Sequence, residues 1–410
     1  MKKVIKGVFV LLLVFCSCVF TSIYIMEGKI YPNYKISSEQ EFKIDALVPV
    51  TAVYNGQKIS QGMYARRVGE QFDVDLKLFG VIPFSTVSVE IVDDMHVKVL
   101  GEPFGMKVYT NGVLVVDAKD ITTKDKTYNP AKDAGIKVGD YIKTVNGKTI
   151  TCNEDLLQLV TESGGSTMIF EVIRNNKTFT CEVTPAFEKD TSLYRIGIWV
   201  RDSSAGVGTL TFYSPTNQVV CGLGHGICDS DTESLLQVYN GELVKAEIVD
   251  VEKGSDGNPG ALKGKLSYDV IADISLNCEQ GVYGAVTCDF DTANLTEIAL
   301  KQSVKDGPAQ IYCTVNGSEP KFYDCEIKKT KKHGSKTQNL IVTITDQELI
   351  EATGGIVQGM SGSPILQDGK LVGALTHVLV NDCKTGYGIY AENMLEVAEN
   401  LAKTQLKQAS

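Results

Sequence analysis

Ser361 has the setting that covalent chemistry asks of a hydroxyl. It stands in Gly359-Met360-Ser361-Gly362-Ser363-Pro364, between two glycines, with a proline closing the turn. A serine becomes nucleophilic when a neighbouring base takes its proton and backbone N–H groups face the oxyanion that develops. Glycines permit the tight path and the close approach of a substrate carbonyl. Four histidines could serve as the base. His225 lies in Cys221-Gly222-Leu223-Gly224-His225-Gly226-Ile227, fenced by glycine and following the apolar Val219-Val220. His333 follows the basic run Lys328-Lys329-Thr330-Lys331-Lys332, a solvated loop by composition. His96 falls in an alternating segment far upstream, and His377 lies after the serine, where it lines a pocket or packs. His225 is the expected base.

These side chains need strands to hold them. Residues 365–380 read as strand, Asp368-Gly369 turn and strand, so the serine turn opens a β-hairpin. From 186 to 388 short apolar runs alternate with Gly, Asn and Asp turns, the pattern of a closed or doubled antiparallel barrel. Residues 391–407 read as a terminal amphipathic helix. Residues 101–185 form a separate α+β pattern, with an Asn146-Gly147 hairpin signal and Asn153 expected to cap a helix over 154–162. Residues 27–100 alternate as β-strands, a β-rich region or stalk.

Lys2, Lys3 and Lys6 precede residues 7–26, which carry no formal charge. Such a run can cross a bilayer core of about 30 Å, and the lysines keep its start cytoplasmic. Residues 1–26 are therefore expected to be a cytoplasmic tip and an uncleaved transmembrane anchor, with the rest outside; a cleaved signal peptide is the competing reading. The net charge of −10 and pI near 5.1 argue against a nucleic-acid partner. Eleven cysteines include no Cys-x-x-Cys, so no metal or other cofactor is expected. None sits at a glycine-flanked turn beside a base, which disfavours a thiol nucleophile. Nine lie beyond the anchor; Cys278/Cys288 and Cys313/Cys325 are spaced to pair, and buried free thiols are the alternative.

Two resemblances sharpen the reading. Residues 131–150, with Ala134-Gly135-Ile136-Lys137-Val138-Gly139-Asp140 and Val145-Asn146-Gly147, resemble the signature of a PDZ domain. Pro103-Phe104-Gly105 resembles the carboxylate-binding loop of such domains, which implies peptide contacts at Gly101, Phe104 and Gly105. The Gly-x-Ser-Gly-x-Pro turn with its hairpin is similar to that of chymotrypsin-like serine proteases. With anchor, PDZ module, Gly-His-Gly-Ile and Gly-Met-Ser-Gly-Ser-Pro-Ile in one order, the chain resembles the stage IV sporulation protein B (SpoIVB) peptidase family of endospore-forming bacteria. The resemblance implies a mainly β fold: transmembrane helix, PDZ domain at 101–185 and a chymotrypsin-like double β-barrel at 186–410. It implies a serine endopeptidase with Ser361 as nucleophile, His225 as general base and the N–H groups of Gly359 and Ser361 as oxyanion hole. Asp346 matches the family's acid, although it also suits a helix N-terminus; Asp269 and Asp273 are runners-up. The implied partner is a membrane-bound inhibitory protein between the mother-cell and forespore membranes. Its cleavage releases an intramembrane protease that processes a sigma-factor precursor, and self-cleavage is a further reaction of this kind. The competing reading is a non-catalytic PDZ scaffold at the membrane.

Overall fold

The computed structural model describes residues 30–37, 44, 49–59, 68–175, 177–330 and 335–409, with Gly7, Leu13, Val14, Ser17, Thr21 and Ile23. The expected anchor at 7–26 thus lies almost wholly outside the described residues, as does His333. Among the described residues no helix is long and apolar enough to cross a membrane. The chain is mainly β.

Five strands among the described residues between 33 and 92 form a sheet in which Asn33–Ser37 pairs in parallel with Ile82–Val92, and Gln71–Leu78 pairs antiparallel with the same strand. Val74, Leu76, Val87, Val89 and Ile91 point to one buried face by the two-residue period of a strand. Where a stalk was one expectation, a small cored sheet is found. Lys35 carries it against the terminal helix Ala391–Ala409, pairing with buried Glu392 and with Glu396.

A twelve-stranded sheet follows, and two long strands give it its shape. Pro103–Ala118 pairs along most of its length with Ile198–Ser214. Its first half also pairs with Val238–Glu252, and its second half with Tyr141–Val145. The sheet therefore runs without a break from the PDZ module into the first half of the peptidase. Six further strands close a separate barrel: Gly307–Cys313, Lys321–Lys329, Leu340–Ile344, Asp382–Tyr390, Lys370–Leu379 and Pro364–Gln367. In place of the expected double barrel there is one closed barrel and one extended sheet. The reason lies in strand length, because 16- and 17-residue strands outrun a single barrel wall.

In the PDZ module, Ile142, Val145, Leu156, Val160, Phe170 and Val172 fill the core. The helix Asn153–Glu162 starts one residue earlier than the sequence suggests. Cys152 occupies the cap position, and Asp155 reaches back to accept the N–H groups of Thr151 and Cys152 at 2.8 and 3.3 Å. The terminal helix buries Ala391, Met394, Leu395 and Ala398 against Phe212, Tyr283 and Ile389, the one-sided spacing of an amphipathic helix.

Candidate active site

Three backbone segments converge on Ser361. Its turn lies between helix Gln347–Thr353 and strand Pro364–Gln367. Strand Ile198–Ser214 holds the turn from below. The Thr209 N–H donates to Ser361 O at 2.9 Å and the Thr209 hydroxyl to Gly359 O at 2.9 Å, while the Thr211 hydroxyl donates to Gly362 O at 2.7 Å. Behind it, Gly362 N donates to Leu375 O at 2.7 Å. Gly362 has φ of +95°, and a Cβ there would lie 1.9 Å from Thr209 O and 2.5 Å from Leu223 N. The glycine is needed because the serine turn and the histidine loop touch at this point.

The carbonyls of the turn are thus engaged, and two of its N–H groups are not. Among the described residues neither Gly359 N nor Ser361 N has an acceptor. Two unpaired donors beside a serine hydroxyl have the chemistry of an oxyanion hole. The Ser361 hydroxyl donates to Thr376 O at 2.5 Å, and Thr376 precedes His377 on strand Lys370–Leu379. Ser363, fully buried, donates its hydroxyl to Met360 O at 2.5 Å and so serves the turn itself.

His225 follows strand Val219–Gly222, and its ring lies 4.5 Å from that of His377, centroid to centroid. Its Nδ1 sits 2.8 Å from Gly226 O. A carbonyl can only accept, so Nδ1 carries the proton and Nε2 keeps its lone pair. Burial of the imidazole, with the like charge of His377 adding, lowers its pKa from 6.5 to about 4. Partial desolvation lowers His377 as well. The His225 imidazole is therefore neutral over most of the pH range. Its acid limb is expected near pH 4 rather than 6.5 when the labelling rate by a fluorophosphonate is followed against pH. His377→Ala removes the like charge and should move that inflection upward. An inflection that stays near 6.5 in the parent would contradict this environment.

Asp346 is not brought to His225. It is the N-cap of helix Gln347–Thr353: one carboxylate oxygen accepts Leu349 N–H at 3.0 Å, the other Asp324 N–H at 3.3 Å. Asp269 and Asp273 lie exposed on strand Ala261–Cys278, and among the described residues neither carboxylate bonds to His225. In this geometry a backbone carbonyl occupies the position of a triad acid. Asn caps helices as well as Asp, whereas Ala costs about 1 kcal/mol. Asp346→Asn is thus expected to keep the hydrolysis rate within about tenfold, since the interaction it replaces is a cap. Asp346→Ala should mainly lower Tm. A fall of about three orders of magnitude in kcat for the Asn variant would return Asp346 to the triad.

Gly101, Phe104 and Gly105 lie elsewhere than in an open peptide loop. Phe104 is fully buried, and Gly105 pairs with Val207 on one side and Val244 on the other. A Cβ at Gly105 would lie 2.3 Å from Leu266. With strands on both flanks, this stretch has no free edge for a peptide.

All nine cysteines among the described residues are free, so Cys278/Cys288 and Cys313/Cys325 are unpaired. Burial pushes the thiols of Cys313 and Cys325 up to about 12, far from thiolate chemistry. What sequence reasoning missed is Thr376, whose carbonyl holds the hydroxyl, and the closeness of His377 to His225. A carbonyl carries no side-chain signal, and the two histidines meet only when the strands do.

A family model described as SpoIVB peptidase S55 matches residues 192–395, and one for the PDZ domain matches residues 101–184. Curated relatives include the Regulator of sigma-W protease RasP of Bacillus subtilis, 34% identical over 91 residues, 22% of each chain. Another is the Putative zinc metalloprotease BH06270 of Bartonella henselae, 35% identical over 81 residues, 20% of this chain and 22% of the other. The chain thus spans about a fifth of the length of these relatives. Among solved structures, the PDZ domain of the SdrC-like protein Lmo2051 from Listeria monocytogenes shares 20% identity. It covers 23% of this chain and 90% of that one, with a TM-score of 0.19. The Rv3671c protease of M. tuberculosis in its active form shares 15% identity over 47% of this chain and 72% of that one, with a TM-score of 0.25. Because the peptidase model spans both the glycine-fenced histidine and the serine turn, and the PDZ model directly precedes it, the chain belongs to the SpoIVB-type, PDZ-containing serine peptidases.

Proposed function

We propose that Ser361 and His225 carry the peptide hydrolysis, and that the chain works as a membrane-anchored, extracytoplasmic endopeptidase in sporulation signalling. One observation supports the catalytic part above the others: Ser361 and two unpaired N–H groups share a turn that packs on the His225 loop. For the reaction Oγ must leave Thr376 O and present its proton to His225 Nε2. Nε2 accepts the proton as Oγ attacks the scissile carbonyl. The N–H groups of Gly359 and Ser361 then hold the oxyanion, and the imidazolium returns its proton to the leaving amine. The Gly226 carbonyl keeps the imidazole in the required tautomer throughout. A dead scaffold has no need of two unpaired donors beside a serine.

A peptidase with a PDZ domain acts on proteins, and the expected substrate is a membrane-bound inhibitory protein. Lys2, Lys3 and Lys6 ahead of a long uncharged run support an uncleaved anchor with the catalytic part outside. The stretch shared with a protein titled regulator of sigma-W protease is in keeping with a sigma-factor pathway. Sporulating cells carrying Ser361→Ala should accumulate the unprocessed sigma-factor precursor, with the protein retained in membranes after carbonate extraction. Normal processing would refute the signalling role, and release by carbonate would refute the anchor.

A further inference from the structure

Arg201 joins the PDZ domain to the loop of the catalytic histidine. It lies near the start of strand Ile198–Ser214, which runs antiparallel to Pro103–Ala118 with Ile198 opposite Ala118, Val200 opposite Val115 and Arg201 opposite Leu114. Ile198 and Val200 pack into the PDZ core. Next along, Asp202 Oδ2 accepts the N–H of Asn153, the first residue of helix Asn153–Glu162, at 2.8 Å. Adding an extended segment to a sheet edge is how PDZ domains take peptide ligands. Here the chain's own next segment occupies an edge of the PDZ sheet.

Strand alternation sends Arg201 to the face opposite Val200. There its Nη1 meets Asp229 Oδ2 and its Nη2 meets Asp231 Oδ2, both at 2.5 Å, with Ser230 Oγ 3.1 Å from Nη1. The Asp229 side chain has no exposed surface, and its other oxygen accepts the N–H groups of Asp231 and Thr232 and the Thr232 hydroxyl. A buried carboxylate so engaged needs its cation, because removing one partner leaves an uncompensated charge. Asp229 is four residues beyond His225, in an excursion whose base Asn277 pins by bonding Ile227 and Leu236.

We propose that Arg201 is a positioning residue: through Asp229 and Asp231 it fastens the His225 loop to the strand seated on the PDZ sheet, so the PDZ domain helps to set the geometry of the general base. The proposal rests on the reading of Ser361 and His225 as the catalytic pair. It explains why a domain with no direct place in the chemistry is built into one sheet with the peptidase.

The test uses the full chain and time courses of fluorophosphonate labelling, with rate constant and end point read separately for Arg201→Ala, Arg201→Lys and Asp202→Ala. Arg201→Ala should label at least tenfold more slowly yet reach the parent end point. Arg201→Lys should be intermediate, since an ammonium lacks the fork that meets two carboxylates. Asp202→Ala, which loosens the strand from the PDZ helix, should slow labelling by a smaller factor. A merely structural role predicts otherwise: part of the protein unfolds, the end point drops and the rate constant of the remainder is unchanged. That pattern, or a parent rate constant in Arg201→Ala, overturns the proposal. Should Arg201→Ala fail to fold, parent rate constants in both other variants overturn it. If His225→Ala labels like the parent, the catalytic reading falls, and this proposal with it.

Discussion

Ser361→Ala is expected to abolish peptide hydrolysis and fluorophosphonate labelling in a protein that still folds. Loss of a catalytic serine typically costs about 10⁴–10⁶ in kcat. The fold should survive because, among the described residues, the Ser361 hydroxyl makes a single bond, to Thr376 O, while the turn is held by other groups. Thr209 and Thr211 bind three of its carbonyls, and Gly362 N stays on Leu375 O. The neighbouring serine provides the control. Ser363 is buried and bonded to Met360 O, so Ser363→Ala should cost about 1 kcal/mol of stability and leave labelling intact. The two variants therefore fail in opposite ways, one in chemistry and one in Tm. Parent-level hydrolysis by a well-folded Ser361→Ala protein would sink the assignment of the nucleophile.

His225→Ala should lose nearly as much, because without a base the hydroxyl keeps its proton and the unpaired N–H groups alone supply the residual rate. The reaction should be compared with that of His377→Ala, since the two rings lie side by side. Of these two rings, only that of His225 has Nδ1 tied to a carbonyl, with Nε2 free among the described residues, so only its loss is expected to stop the reaction. The opposite outcome, with His377→Ala dead and His225→Ala active, would move the base to the hairpin. A stability signature accompanies the variant. The folded pKa of His225 lies near 4, below the unfolded value of 6.5, so between these pH values the unfolded chain binds more protons. The parent is thus fully stabilised by this group above pH 6.5 and loses that contribution as pH falls towards 4. His225→Ala lacks the loss, and urea unfolding at pH 7 and pH 5 should show the parent's stability falling more steeply than the variant's.

The two largest predictions concern residues that the chain marks locally. A serine or histidine set among glycines signals a backbone that must turn tightly or be approached closely, and that requirement is written within a few residues. The same holds for the PDZ signature at 131–150, where Asn146 and Gly147 adopt the left-handed turn that the sequence implies. It holds too for the amphipathic spacing of the terminal helix.

What only the tertiary structure decided depends on partners far apart in the chain. Asp346 faces Leu349 and Asp324 N–H groups rather than an imidazole, because a carboxylate at the end of a strand takes the nearest unpaired donors once the helix starts. Phe104 and Gly105 read as a loop, yet the strands around 207 and 244 pair on both sides and bury them. The Thr376 carbonyl, the pairing of His225 with His377 and the Arg201 clasp on Asp229 join residues many positions apart. Turn chemistry is a property of a few adjacent residues and can be read from their types. Strand pairing is not, because a given apolar run can pair with many others. The pairing that buries the whole core selects which of them meet, and with them which donor faces which acceptor.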